Sequence, residues 1–184
     1  MPSIITHSFV GILSASLFQN NEFKKKFFLF SVLCPIIPDF DVIAFKFGIP
    51  YEHFFGHRGF FHSITFAFIL SLIVVLLFFR SKEIKFKSKL GLLTYFFVLT
   101  STHGILDAFT SGGLGIALLS PFDNTRYFFP YTPIKVSPIG IAAFFSEWGK
   151  RVLISEILWV WMPLIGIFIL VKIILKIRNN RKTS

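Results

Sequence analysis

The chain has 184 residues, 19 of them Lys or Arg and 9 Asp or Glu, for a formal net charge of +10. Hydrophobic residues make up 54%, 27 residues are Phe, and only 15% are charged. A small soluble domain cannot bury that much apolar surface, so the composition excludes disorder and points to a membrane protein, with no nucleic acid expected as a partner. The single cysteine, Cys34, excludes an internal disulfide framework and a Cys-rich zinc cluster. The length suits one integral-membrane domain over residues 1–184.

Ile4–Phe18 is apolar but short for a span, with Thr6 and His7 near its start. Met1–Phe9 holds no Lys or Arg, and Lys24–Lys26 follow the apolar stretch. That is the reverse of a cleaved signal peptide, so a retained helix with its N-terminus outside is expected. Phe27–Phe45 is apolar but interrupted by Pro35, Pro38, Asp39 and Asp41. Phe60–Phe79 and Leu90–Phe109 reach the roughly 20 residues that a bilayer core requires. Residues 110–150 hold two short apolar runs among Gly112, Gly113, Pro121, Pro130, Pro133 and Pro138, and read as an irregular outer cap or re-entrant segment. Ile154–Leu175 is the last apolar stretch, with Glu156 near one end, Lys172 near the other and Pro163 as a kink. The expected fold is an all-α membrane protein of about five transmembrane helices.

With the N-terminus outside, thirteen basic residues face the cytoplasm: Lys24, Lys25, Lys26, Arg80, Lys82, Lys85, Lys87, Lys89, Lys172, Lys176, Arg178, Arg181 and Lys182. Six lie outside: Lys46, Arg58, Arg126, Lys135, Lys150 and Arg151. The bias places the C-terminus in the cytoplasm and makes the lipid bilayer, through its anionic headgroups, the partner of the basic runs. Trp148, Trp159 and Trp161 fit an aromatic belt, and Asp123 and Glu147 read as solvated.

This topology, chosen without reference to the other polar groups, collects His7, Asp39, Asp41, His57, His62, His103 and Asp107 at the outer level. Ionisable groups at membrane depth are costly and mark functional sites. His103 and Asp107 stand four apart and share a helix face, as zinc ligands or as an interhelical hydrogen bond. In extended chain Asp39 and Asp41 would point the same way, and two close carboxylates need a cation between them or a shared proton. Gly56 and Gly59 allow close approach of a ligand at His57 and His62. The set supplies more ligands than one ion needs, so one or two divalent ions, with zinc first, are expected. Arg58 and Arg126 suit phosphate oxygens, or headgroups.

These residues carry a family resemblance. His7, Pro38-Asp39-Phe40-Asp41, His57-Arg58-Gly59-Phe60-Phe61-His62-Ser63, Ser101-Thr102-His103-Gly104-Ile105-Leu106-Asp107 with Thr110 and Gly113, Leu118-Leu119-Ser120-Pro121, and Arg126 with Phe129-Pro130 resemble the YdjM-type inner-membrane metal-dependent hydrolases. That family is in turn similar to zinc-dependent phospholipase C and the related single-strand nucleases. The resemblance implies metal ligands at His7, Asp41 (or Asp39), His62 (or His57), His103 and Asp107. No histidine follows Asp107, so the full three-metal set of the phospholipases is absent.

The expected function is a zinc-dependent phosphoesterase of the inner membrane, acting on a lipid or lipid-linked phosphate at the extracytoplasmic face. Asp39 (or Asp41) would serve as general base, and Arg58 and Arg126 would hold phosphate. The alternative is a non-catalytic metal-binding protein or a metal or proton transporter. The apolar inner halves of the spans, such as Ser71–Phe79, offer a transporter no polar path.

Overall fold

A computed structural model describes residues 1–18, 23–81 and 84–183; Lys82, one of the thirteen basic residues expected on the inner side, lies outside the described residues. Every regular element among them is helical, and two isolated β-bridges, Thr110 to Ile134 and Ile116 to Tyr127, tie the cap together. The helices are α1 (Ile4–Leu17), α2 (Lys24–Leu33), α3 (Ile64–Phe78), α4 (Phe86–Ala108), α5 (Ile141–Phe144), α6 (Glu147–Glu156) and α7 (Met162–Thr183). Short 3₁₀ segments cover Ile37–Phe47 and Phe60–His62, and a π-helical turn, Ile157–Trp161, joins α6 to α7.

Among the described residues, two helices are long and apolar enough to cross a membrane, α4 and the continuous Glu147–Arg181 helix. At 1.5 Å per residue their 23 and 35 residues measure about 35 and 52 Å. A third span arises if α2 and the Ile37–Phe47 segment, bent 46° apart, count as one. The apolar helices α1 and α3 are shorter than a full span. By length and composition, two or three candidate spans are found among the described residues where about five were expected, for identifiable local reasons. Pro35 and Pro38 break the second stretch, because proline removes a donor and clashes with the preceding turn. The third stretch starts late because the Ser63 hydroxyl accepts from Phe66 N at 3.0 Å and caps α3, leaving Phe60–His62 outside it.

Packing divides the molecule into an apolar end and a polar end. Ala15, Phe27, Phe30, Cys34, Val74, Val75, Phe79 and Phe96 form one buried cluster among α1, α2, α3 and α4. α1 and α2 approach so closely that a Cβ at Gly11 would lie 2.1 Å from the Ser31 carbonyl oxygen. The opposite ends of α1 and α4 carry His7, His103 and Asp107, and the 3₁₀ segments beside them bring Asp39, Asp41 and His62. The cap closes over this end through Ala117 N to Arg58 O at 3.1 Å, Ile64 N to Leu118 O at 3.0 Å and Phe129 N to Ala108 O at 2.9 Å.

Candidate metal centre

Asp39, His62, His103 and Asp107 converge so that one donor atom from each lies within 4.8 Å of all the others. His62 Nε2 stands 3.6 Å from Asp39 Oδ1 and 3.4 Å from Asp107 Oδ2; His103 Nε2 stands 3.4 Å and 4.0 Å from the same two oxygens. Ligands bound tetrahedrally at the usual 2.0–2.2 Å of zinc are separated by about 3.4 Å. The four atoms thus have the spacing of a shell around one small divalent ion. His7 joins from α1, its Nε2 3.3 Å from Asp107 Oδ1 and its ring stacked on His103 at 4.0 Å.

None of these contacts is aligned as a hydrogen bond. Among the described residues, the buried side-chain N and O atoms without a hydrogen-bond partner all belong to His7, Asp39, Arg58, His62, His103 and Asp107. Leaving a buried polar group unpaired costs about 1–3 kcal/mol, so a cluster of them facing one point calls for a ligand there. Formal charge agrees. Asp39, Asp41 and Asp107 bring three carboxylates against the one guanidinium of Arg58, an excess of two negative charges that one divalent ion would balance. The donor set and its spacing fit such an ion.

The imidazoles are aimed by outer partners, as in many metal sites. His103 Nδ1 lies 2.8 Å from the Pro35 carbonyl, which fixes the tautomer and turns Nε2 inward. His62 Nδ1 approaches Asp41 Oδ2 at 3.1 Å, out of hydrogen-bond alignment. Asp41 also accepts from Arg58 N at 3.0 Å and pairs with His57 Nδ1 at 2.6 Å. Asp39 and Asp41 therefore do not point together as expected. Ile37–Phe47 is a 3₁₀ helix with roughly 120° per residue, so residues two apart take different faces. Asp39 faces the four-donor set; Asp41 and His57 back His62. Asp41, His57 and His62 also form a second close group, but both Asp41 oxygens already have partners.

The two arginines are placed differently from the phosphate-holding role expected of them. Arg58 has φ 63°, the one positive φ at a non-glycine among the described residues. That backbone turns its side chain inward, where it is 1% exposed. Its Nη1 donates to Gly112 O at 2.6 Å, Nη2 donates to Thr110 Oγ1 at 3.0 Å, and Nε lies 3.6 Å from Asp107 Oδ2. Thr110 in turn donates to Asp107 O at 2.7 Å, so Arg58 clamps the end of α4 from two sides. Arg126 donates to His57 O at 2.9 Å and Tyr51 O at 2.8 Å, pinning the loop that carries His57. Beneath it, burial pushes the Tyr51 phenol up to about 12, so it remains protonated.

Residues 1–180 match the family described as YdjM inner membrane protein. The chain belongs to that family. Inner membrane protein YbcI of Escherichia coli (strain K12) is 35% identical over 169 residues, which cover 89% of this chain and 92% of that protein. No solved structure matches the chain. In this YdjM-family member the residues missed by sequence reasoning are Pro35, whose carbonyl aims His103, and Glu156, which is fully buried against the start of α1. Glu156 had a signal: it is a lone acid in an otherwise apolar stretch.

Proposed function

We propose that the chain is a membrane-embedded hydrolase dependent on a divalent metal, zinc first, and that it acts on a phosphoester carried by a lipid at the extracytoplasmic face. The observation that supports this best is the set of unpaired His and Asp atoms at metal-ligand spacing around one point. Asp39, His62, His103 and Asp107 would hold the ion, with His7 beside them. Such an ion supplies Lewis acidity and activates water for attack on an ester. Both Asp39 oxygens lack hydrogen-bond partners, so with Oδ1 toward the ion Oδ2 would be free to act as general base. Asp41 orients His62, Arg58 steadies Asp107, and Arg126 holds the His57 loop. The apolar cluster closes the opposite end, which disfavours transit of ions and favours turnover at one face.

The same reading takes five spans with the N-terminus outside. The Phe60–His62 turn and α3 together measure about 28 Å, close to the hydrocarbon thickness, and α1, at about 21 Å, crosses with local thinning of the bilayer. A phosphoester on a lipid reaches a site at this level by lateral diffusion. The test is phosphate release from phosphatidic acid in mixed micelles with zinc, comparing wild type with Asp39→Ala. Loss of a side chain that would be both ligand and general base is expected to lower the rate by at least about 10²-fold. Equal rates in the two proteins would reject the hydrolase reading.

A further inference from the structure

The long C-terminal helix is mostly bare, with only 6% of its apolar window buried, yet at one point it is fastened firmly to the rest of the molecule. That point is Ser155-Glu156, just before the π-helical turn Ile157–Trp161. Glu156 is 0% exposed and accepts from Ser3 N, from Ser3 Oγ at 2.6 Å and from Thr6 Oγ1 at 2.7 Å. One turn on, Trp161 Nε1 donates to Thr6 Oγ1 at 2.7 Å. Ser155 Oγ accepts from Lys135 N at 2.9 Å, next to the Ile134 that bridges to Thr110. Local π-helical turns recur at functional sites, and here the widened turn sets Glu156 and Trp161 on the same hydroxyl.

The chain start held by Glu156 leads directly into His7. The two imidazoles of the four-donor set each have a group behind them: the Pro35 carbonyl bonds His103 Nδ1, and Asp41 Oδ2 stands 3.1 Å from His62 Nδ1, though out of alignment. His7, beside that set, has its Nε2 facing Asp107, and its Nδ1 has no hydrogen-bond partner. The position of its ring therefore rests on where the first turn of α1 is placed, and Glu156 places that turn. An acid at a helix N-terminus also matches the helix dipole, which strengthens the hold. We propose that Glu156 is a positioning residue of the metal centre, fixing Ser3 and Thr6 so that His7 stays against Asp107. This rests on the metal-binding reading above.

The test is zinc titration of the full chain in detergent, with thermal unfolding measured alongside. Glu156→Ala is expected to weaken zinc binding roughly 10- to 100-fold, the usual effect of removing an outer-shell partner. Glu156→Gln, which still accepts from Ser3 N, retains most of the affinity. His7→Ala alone weakens binding, and adding Glu156→Ala to it causes no further loss, because the effect of Glu156 runs through His7. Wild-type affinity in Glu156→Ala, or additive losses in the double variant, would overturn the assignment and leave Glu156 a helix anchor. Should Glu156→Ala fail to fold, Thr6→Val carries the test: weaker zinc binding at an unchanged unfolding temperature supports the assignment, and unchanged binding overturns it. A wild-type chain that binds no zinc would reject the metal reading itself, and this assignment with it.

Discussion

Arg58→Met is expected to destabilise the protein by about 3–5 kcal/mol, the usual cost of removing one partner of a buried ion pair. Methionine keeps the unbranched stem, and at φ 63° it bears much the same backbone strain as arginine, so the side-chain head is the main difference. That head donates to Gly112 O and Thr110 Oγ1 and stands beside Asp107 Oδ2. Without it Asp107 loses its guanidinium partner, and the end of α4 loses its tie to the cap. Arg58→Lys keeps the charge but lacks the fork that reaches both acceptors, and falls between wild type and Met. The exposed Lys150→Met serves as control and is expected to stay within about 0.5 kcal/mol of wild type. Denaturant unfolding in detergent micelles measures all four. An Arg58→Met protein as stable as Lys150→Met would show that the guanidinium is not the clamp.

The second large effect comes from a single methyl group. Helix propensity alone says that Gly→Ala inside α4 should stabilise by up to about 1 kcal/mol. Gly91→Ala should do so, since a Cβ there meets nothing within 4 Å. Gly104→Ala should do the opposite. Its Cβ would lie 2.5 Å from the His62 carbonyl oxygen and 3.3 Å from Leu118 Cδ2. The Phe60–His62 turn must then move off α4, an overpacking cost of about 1–3 kcal/mol. Because His62 travels with that turn, zinc affinity falls at least roughly 10-fold, while Gly91→Ala leaves it unchanged. Parallel titrations and melts of the two variants check this, and equal behaviour would refute the close approach.

Much of the polar end was legible in the sequence because a bilayer makes ionisable side chains conspicuous. His7, Asp39, Asp41, His57, His62, His103 and Asp107 stand out in apolar stretches, and the basic residues assign them all to one side without reference to their chemistry. The finer geometry depended on local backbone that composition does not reveal. Whether Asp39 and Asp41 share a face turns on extended chain against 3₁₀ helix, and two prolines allow either. Arg58 read as a cation for phosphate or headgroups, whereas its left-handed backbone turns the side chain inward onto Thr110 and Gly112. The span lengths were obscured by Ser63, whose cap shortens an unbroken apolar run. Glu156 was visible as an isolated acid, but its partners Ser3 and Thr6 lie some 150 positions away in the chain.

The central claim is that the His and Asp atoms left unpaired at the polar end exist to hold a divalent ion. Its most direct test is the metal content of the purified full chain, measured by plasma mass spectrometry after growth with zinc, beside His103→Ala/Asp107→Ala. At least one tightly held divalent ion per wild-type chain is expected, and none in the double variant. A wild-type chain without stoichiometric metal, or a double variant that holds as much, would contradict it.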